Sequence, residues 1–214
     1  MPSHGRYFKY FPTVPYETFD GSGQYKVVTD IFKRVRATLE ARTDKTIYYN
    51  YRVPDGEKPE HVAYKYYGEA KYYWVILLMN EIRDPQWCWP LDTHAMERFI
   101  ENKYGSVANA LSETLFYRTK EIKASATDDT YTAGDVILKA GIEVPSNFIY
   151  EYTGSNNGVP SSTYSYGVGQ SREAVDAYTY EIEQNDARSD ITLLRRNLLQ
   201  EFVVGFENLI IQKR

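Results

Sequence analysis

The sequence predicts an α+β protein: a small βααβ unit near the middle, an extended N-terminal arm, flanking helices, and a C-terminal β-rich module that ends in a helix. Three observations carry this. In TIYYNYRV (46–53), Ile47, Tyr49, Tyr51 and Val53 alternate with Tyr48, Asn50 and Arg52, which is strand spacing. The run YYWVILLMN (72–80) is apolar nearly all round, which marks a helix covered on every side. Beyond residue 106, short runs of β-branched and aromatic residues alternate with Gly, Pro and Asp-Asp turns, the pattern of an antiparallel module.

Residues 1–25 mix proline, glycine and aromatics without either period, and predict an extended arm bearing Tyr7, Phe8, Tyr10, Phe11, Tyr16 and Phe19. An arm this apolar needs a surface to lie on. Residues 26–45 predict an amphipathic helix, with Thr29 as N-cap, Asp30 in the first turn and Ile31, Val35 and Leu39 on one face. The βααβ domain spans 46–91: the strand, a turn at Pro54-Asp55-Gly56, a helix opened by Pro59 and stopped by Gly68, and a second helix over 69–80. Asn80 is expected to end that helix in the left-handed conformation. A turn at Asp84-Pro85 then leads into an extended return through Trp87, Cys88 and Trp89.

Residues 92–105 predict a connecting helix capped by Asp92 or Thr93 and stopped by Gly105. The β-rich module covers 106–194. It holds strands at 115–124, 135–140 and 147–152, a flexible Gly/Ser/Asn-rich loop over 153–171, and a hairpin in which Tyr178, Tyr180 and Ile182 precede a turn at Asn185-Asp186 and a strand with Ile191 and Leu193. Residues 195–214 predict a terminal amphipathic helix with Leu198, Phe202, Phe206 and Leu209 on one face.

Composition narrows the function classes. The 214 residues, 43% hydrophobic, suffice for a real core. A net charge of −4 with scattered Lys and Arg argues against a nucleic-acid partner. The longest apolar run falls far short of the roughly 20 residues that cross a bilayer, so no membrane role is expected. The N-terminus has no secretory pattern, which predicts a chain made and kept in a cytoplasm. Cys88 stands alone between two tryptophans and predicts a buried, inert thiol. His4, His61 and His94 show no metal-ligand spacing, and phosphate loops, nucleophile elbows and EF-hand loops are missing from the sequence. No catalytic, cofactor-binding or metal-binding residue is assigned, and the chain reads as a non-enzyme without a cofactor. The 21 tyrosines suit either an aromatic core or surfaces later covered by protein.

The series from YYNYRVPDGEKPEHVAYKYYG through EAKYYWVILLMN to DPQWCWPL resembles a LysM module: a strand, a helix closing in Tyr-Gly, a second closing in Leu-x-Asn, and a Pro-containing return. With YFKYFPTVPY, VTDIFKRVR and YEIEQNDARSDITLL in the same order, the chain resembles the baseplate wedge proteins of contractile-tailed bacteriophages that carry a LysM-like domain. Residues 106–170 share only a β-rich character with them. The resemblance implies a structural virion protein of the tail baseplate, assembled in the host cytoplasm, with six copies per baseplate. Its implied partners are the baseplate wedge core proteins, the neighbouring wedge and a sheath-initiator-like protein. It also implies that the LysM-like fold serves protein contacts, made by Tyr48, Tyr66, Tyr67, Trp87 and Trp89. The arm aromatics Tyr7, Phe8, Tyr10, Phe11, Tyr16 and Phe19, and Phe202 and Phe206 of the terminal helix, would lie along neighbouring subunits. Trp87 and Trp89 have a second reading, as fillers of the module's own core. Since LysM modules often bind N-acetylglucosamine polymers, the alternative function is a peptidoglycan- or chitin-binding protein or a tail-associated cell-wall hydrolase.

Overall fold

The computed structural model describes residues 7–17, 23–32 and 46–211. Two compact units emerge, one of Met1–Thr93 with Asn185–Arg214 and one of His94–Gln184. In the first, a 3-10 turn at Tyr7–Tyr10 precedes strands β1 (Thr13–Glu17), β2 (Tyr25–Thr29) and β3 (Tyr48–Arg52). Helix α1 (Pro59–Tyr67) follows, then a 3-10 turn at Ala70–Tyr72, α2 (Tyr73–Met79) and the short α3 (Pro85–Cys88). Helices α4 (Thr93–Tyr104) and α5 (Val107–Ser112) lead to β4 (Thr114–Thr119), β5 (Ile122–Lys123), β6 (Val136–Leu138) and β7 (Glu143–Val144). Next come β8 (Tyr150–Asn156), β9 (Val159–Tyr166), α6 (Val168–Ser171), β10 (Arg172–Asp176) and α7 (Ala177–Ser189). The chain ends its described part with β11 (Asp190–Leu194), a 3-10 turn at Arg196–Leu198 and α8 (Leu199–Ile211).

In the first unit, Pro59 starts α1 where its missing N–H costs nothing, and Gly68 stops it at φ 86°, its N–H reaching Tyr64 O at 2.9 Å. The strand that pairs with β3 is β11, antiparallel, with Asn50 opposite Thr192 and Tyr51 opposite Ile191. The expected return through 84–91 is therefore corrected. Asp84 accepts the Gln86 amide at 2.9 Å and opens a helical turn there. The strand partner of β3 comes instead from residues more than a hundred positions later.

Helix α2 is covered as its sequence requires: Trp74, Val75, Ile76 and Met79 are buried against Ile191, Leu193 and Leu194 of β11 and Val203, Phe206 and Ile210 of α8. Side chains of this kind contribute about 1.5–3 kcal/mol each on burial. Asn80 does not adopt the left-handed conformation; its φ is −95°, and Glu81 turns left-handed instead. The buried stripe of α8 is Leu199, Val203, Phe206 and Ile210; it shares Phe206 with the predicted face and otherwise takes the residue after Leu198, Phe202 and Leu209, the last of which is exposed.

The predicted arm is structured where it is described. Phe11 is buried in the core, and β1 pairs with β2 in an antiparallel hairpin. Thr29 belongs to β2, so it is not a helix cap; Asp30 takes the Phe32 amide at 3.1 Å. Phe19, His4 and the predicted helix beyond residue 32 lie outside the described residues.

In the second unit β4 sits between β10 and β7. The stretch 153–171 is no loop: β8 and β9 form a hairpin through Asn157 (φ 54°) and Gly158 (φ 74°). Both turn residues are left-handed, the geometry that Asn-Gly favours. Residues 177–189 are a helix rather than a strand and turn. Asp176 accepts the Thr179 amide at 2.7 Å and caps it, and the buried Ala177, Glu181 and Ser189 recur at helical spacing.

Candidate protein-contact surfaces

The aromatic residues sort into core and surface by what they touch. Tyr7 lies 4.9 Å from Phe11 and 5.5 Å from Phe206, ring centre to ring centre, and Trp74 lies 4.6 Å from Phe206. Tyr10 packs edge-on to Phe206 at 5.9 Å. Burial raises the Tyr7 hydroxyl pKa above the usual phenol range. Tyr67 is buried, and its hydroxyl donates to Leu194 O at 3.0 Å; burial pushes its pKa well up. These groups tie the N-terminal turn and α1 to β11 and α8 within one unit.

The two tryptophans around Cys88 part company. Trp89 is 5% exposed, and its Nε1 donates to Glu57 O at 2.7 Å, fastening the chain after α3 to the loop before α1. Trp87 is 62% exposed and Cys88 is exposed as well, so the buried thiol expected from the sequence is corrected. In one helical turn, residues two apart point to opposite sides.

In the first unit, the exposed apolar surface of the described residues is concentrated in three places. The first is the β1–β2 hairpin, with every residue of its two strands exposed, together with Ile31 and Phe32 just after β2. Val14 and Tyr16 stand on one face with Val28; Pro15 stands on the other with Tyr25 and Val27. The second is the outer side of α8, where Val204, Leu209 and Ile211 are open to solvent. A groove of about 610 Å³ lies beside it, lined by Lys9–Thr13 with Glu207 and Ile211. The third is the surface of β3, α1 and α3, with Tyr49, Tyr64 and Trp87 exposed and Tyr49 stacked on the half-buried Tyr66 at 6.0 Å. Nearby, Tyr51 donates to Glu57 at 2.8 Å and Lys65 pairs with it at 3.0 Å. Burial pushes the Glu57 carboxyl up, yet these two bonds outweigh it and hold it below the usual carboxylate range.

Among the described residues no group of His, Cys, Asp and Glu is placed to hold a metal ion, and no helix is long and apolar enough to cross a membrane. A family model described as base plate wedge protein 53 matches residues 7–209. The chain belongs to that family. Over 96 residues it is 32% identical to the baseplate wedge protein gp53 of Enterobacteria phage T4, a stretch covering 45% of this chain and 43% of that relative.

For this wedge-family chain, the sequence-predicted contact residues divide accordingly. Phe8, Tyr16 and Trp87 are exposed and remain contact candidates; Tyr48, Tyr66 and Phe202 are half-buried. Phe11, Tyr67, Trp89 and Phe206 are core residues, and Tyr7 and Tyr10 pack on that core. Phe19 lies outside the described residues. Sequence reasoning missed Tyr25, Val27, Tyr49, Tyr64, Val204 and Ile211 as exposed groups. The signal for Tyr25 and Val27 was their alternation in YKVVT, which the glycines just before it obscured.

Proposed function

We propose that this chain is a structural subunit of a phage tail baseplate that clamps adjacent wedges around the tail hub. In this reading it resides in the virion tail, is assembled in the host cytoplasm, and is present in six copies. Each copy contacts wedge core proteins, the neighbouring wedge and a sheath-initiator-like protein. The observation that carries the reading is the set of separate apolar surfaces open to solvent: a hairpin apolar on both faces, the outer side of the terminal helix, and the aromatic surface of the βααβ core. Surfaces of this kind mark sites that another protein covers.

The strand, helix pair and antiparallel strand of the first unit are similar in order to a LysM-like module, with β11 in the role of the closing strand. That module would supply the rigid piece. Several modest contacts on one chain hold neighbours through effective concentration, without demanding one fixed geometry while the baseplate changes shape. The test mixes the purified chain with wedge proteins of the same tail and, separately, with peptidoglycan and chitin fragments. Association with wedge proteins and no glycan binding supports the clamp. Glycan binding with no wedge partner would replace it with the cell-wall reading.

A further inference from the structure

The β1–β2 hairpin has one open edge and one blocked edge, and its hydrogen-bond phase tells which is which. The Asp30 amide donates to Pro12 O at 2.8 Å, so Pro12 and Asp30 form a hydrogen-bonded pair. Antiparallel pairs alternate between bonded and non-bonded, and the register from Thr13↔Thr29 to Glu17↔Tyr25 runs without a shift. The pairs Val14↔Val28 and Tyr16↔Lys26 are therefore bonded. The backbone groups of the other pairs, Thr13↔Thr29, Pro15↔Val27 and Glu17↔Tyr25, point away from the hairpin. On the β1 side the central outward position is Pro15, which has no N–H, and this interrupts the edge. On the β2 side Tyr25, Val27 and Thr29 each present an N–H and a C=O, and among the described residues no strand pairs with them. Tyr25 is 67% and Val27 74% exposed.

We infer that the outer edge of β2 accepts an extended strand from a different protein of the assembly, with apolar side chains on both of its faces. The backbone of Tyr25, Val27 and Thr29 supplies the hydrogen bonds of such an added strand. The apolar residues on both faces of the hairpin set its chemistry, since a third strand has to continue both surfaces. Completion also meets a physical need, because a lone two-stranded hairpin is marginal in water. The choice of a different protein over a second copy rests on the baseplate reading. Antiparallel pairing of β2 with another β2 is a twofold contact, and it would divide six copies into three pairs rather than join them in six equivalent positions.

Val27→Pro tests this, since the one backbone hydrogen-bonding group it removes is an outward N–H, and the extended backbone there suits proline, as it does at Pro15 directly opposite. The full-length chain is supplied to wedge assemblies from a phage that lacks its own copy, and incorporation is measured beside Val27→Ala, which keeps the amide. Amide hydrogen exchange is recorded on the isolated chain. The expected result is fast exchange at Val27 in the isolated monomer, unchanged folding of Val27→Pro, and a fall in its incorporation of about tenfold or more, with Val27→Ala close to the wild type. Normal incorporation of a folded Val27→Pro chain would overturn the inference and leave the baseplate reading intact. Slow exchange at Val27 in the isolated monomer, or a homodimer abolished by Val27→Pro, would overturn it by showing the edge occupied by this chain itself. Absence of the wild-type chain from the assemblies would instead be the failure of the baseplate reading.

Discussion

Asn80 holds Thr192 as a neighbouring strand would. Its Nδ2 donates to Thr192 O at 2.8 Å, and its Oδ1 accepts the Thr192 amide at 2.8 Å and the Thr192 hydroxyl at 3.1 Å. The same Nδ2 reaches back to Ile76 O at 2.8 Å, so one side chain ends α2 and seals the free edge of β11. Asn80→Ala strands the Thr192 backbone pair and should cost about 2–4 kcal/mol. Asn80→Asp keeps the acceptors but loses both donor contacts, and it should also destabilise. Urea unfolding of the two variants checks this; stability equal to the wild type would remove Asn80 from this role.

The N-terminal turn should behave as part of the fold, not as a detachable arm. Phe11→Ala empties a site lined by Tyr7 and Phe206 and is expected to cost about 3–5 kcal/mol. Phe8→Ala, at a largely exposed position whose ring meets Tyr7 at 5.1 Å and Phe11 at 5.4 Å, should cost less, about 1 kcal/mol. Thermal denaturation of the pair separates core from surface.

The three tryptophans give an optical check on the first unit. Trp74 and Trp89 are buried and Trp87 is exposed, so acrylamide should quench a fraction of the fluorescence that disappears in Trp87→Phe. Cys88 should react with a thiol reagent in the native state, without unfolding.

The tip of the β8–β9 hairpin should respond to acid. Asp128 is held below the usual carboxylate range by the Tyr152 hydroxyl and then by the amides of Tyr131 and Thr130; Asp129 is lowered by the Gly158 amide, the Ser155 hydroxyl and the Asn157 amide. Lowered folded-state values mean that their stabilisation is present above the unfolded value of about 4 and is lost as pH falls through the folded values. The Thr130, Tyr131 and Gly158 amide resonances should therefore shift only below about pH 4. On the alkaline side, the bond to Asp128 pushes the Tyr152 hydroxyl up to about 12, so it should ionise well above the ordinary phenol value of about 10.

What the sequence made legible was local. Pro59 and Gly68 bound α1, the apolar run gives α2, and the alternation at 48–52 gives β3, because each signal is read within a few residues. The pairing of β3 with β11 was hidden because a whole unit separates the strands in the chain. Ile191 and Leu193 do show strand alternation, but the nearest candidate partner, just upstream, is a helix capped by Asp176. The Asn157-Gly158 turn was written in the sequence, and its Ser- and Gly-rich surroundings masked it. For the contact surfaces, aromatic identity could not separate Trp87 from Trp89 or Phe8 from Phe11; which side of a short turn faces the core depends on the elements packed against it.

The most direct test of the clamp is electron cryomicroscopy of baseplates assembled with this chain. The expected density shows six copies, each touching proteins of two adjacent wedges. Copies confined to a single wedge, or baseplates that form complete rings without the chain, would contradict it.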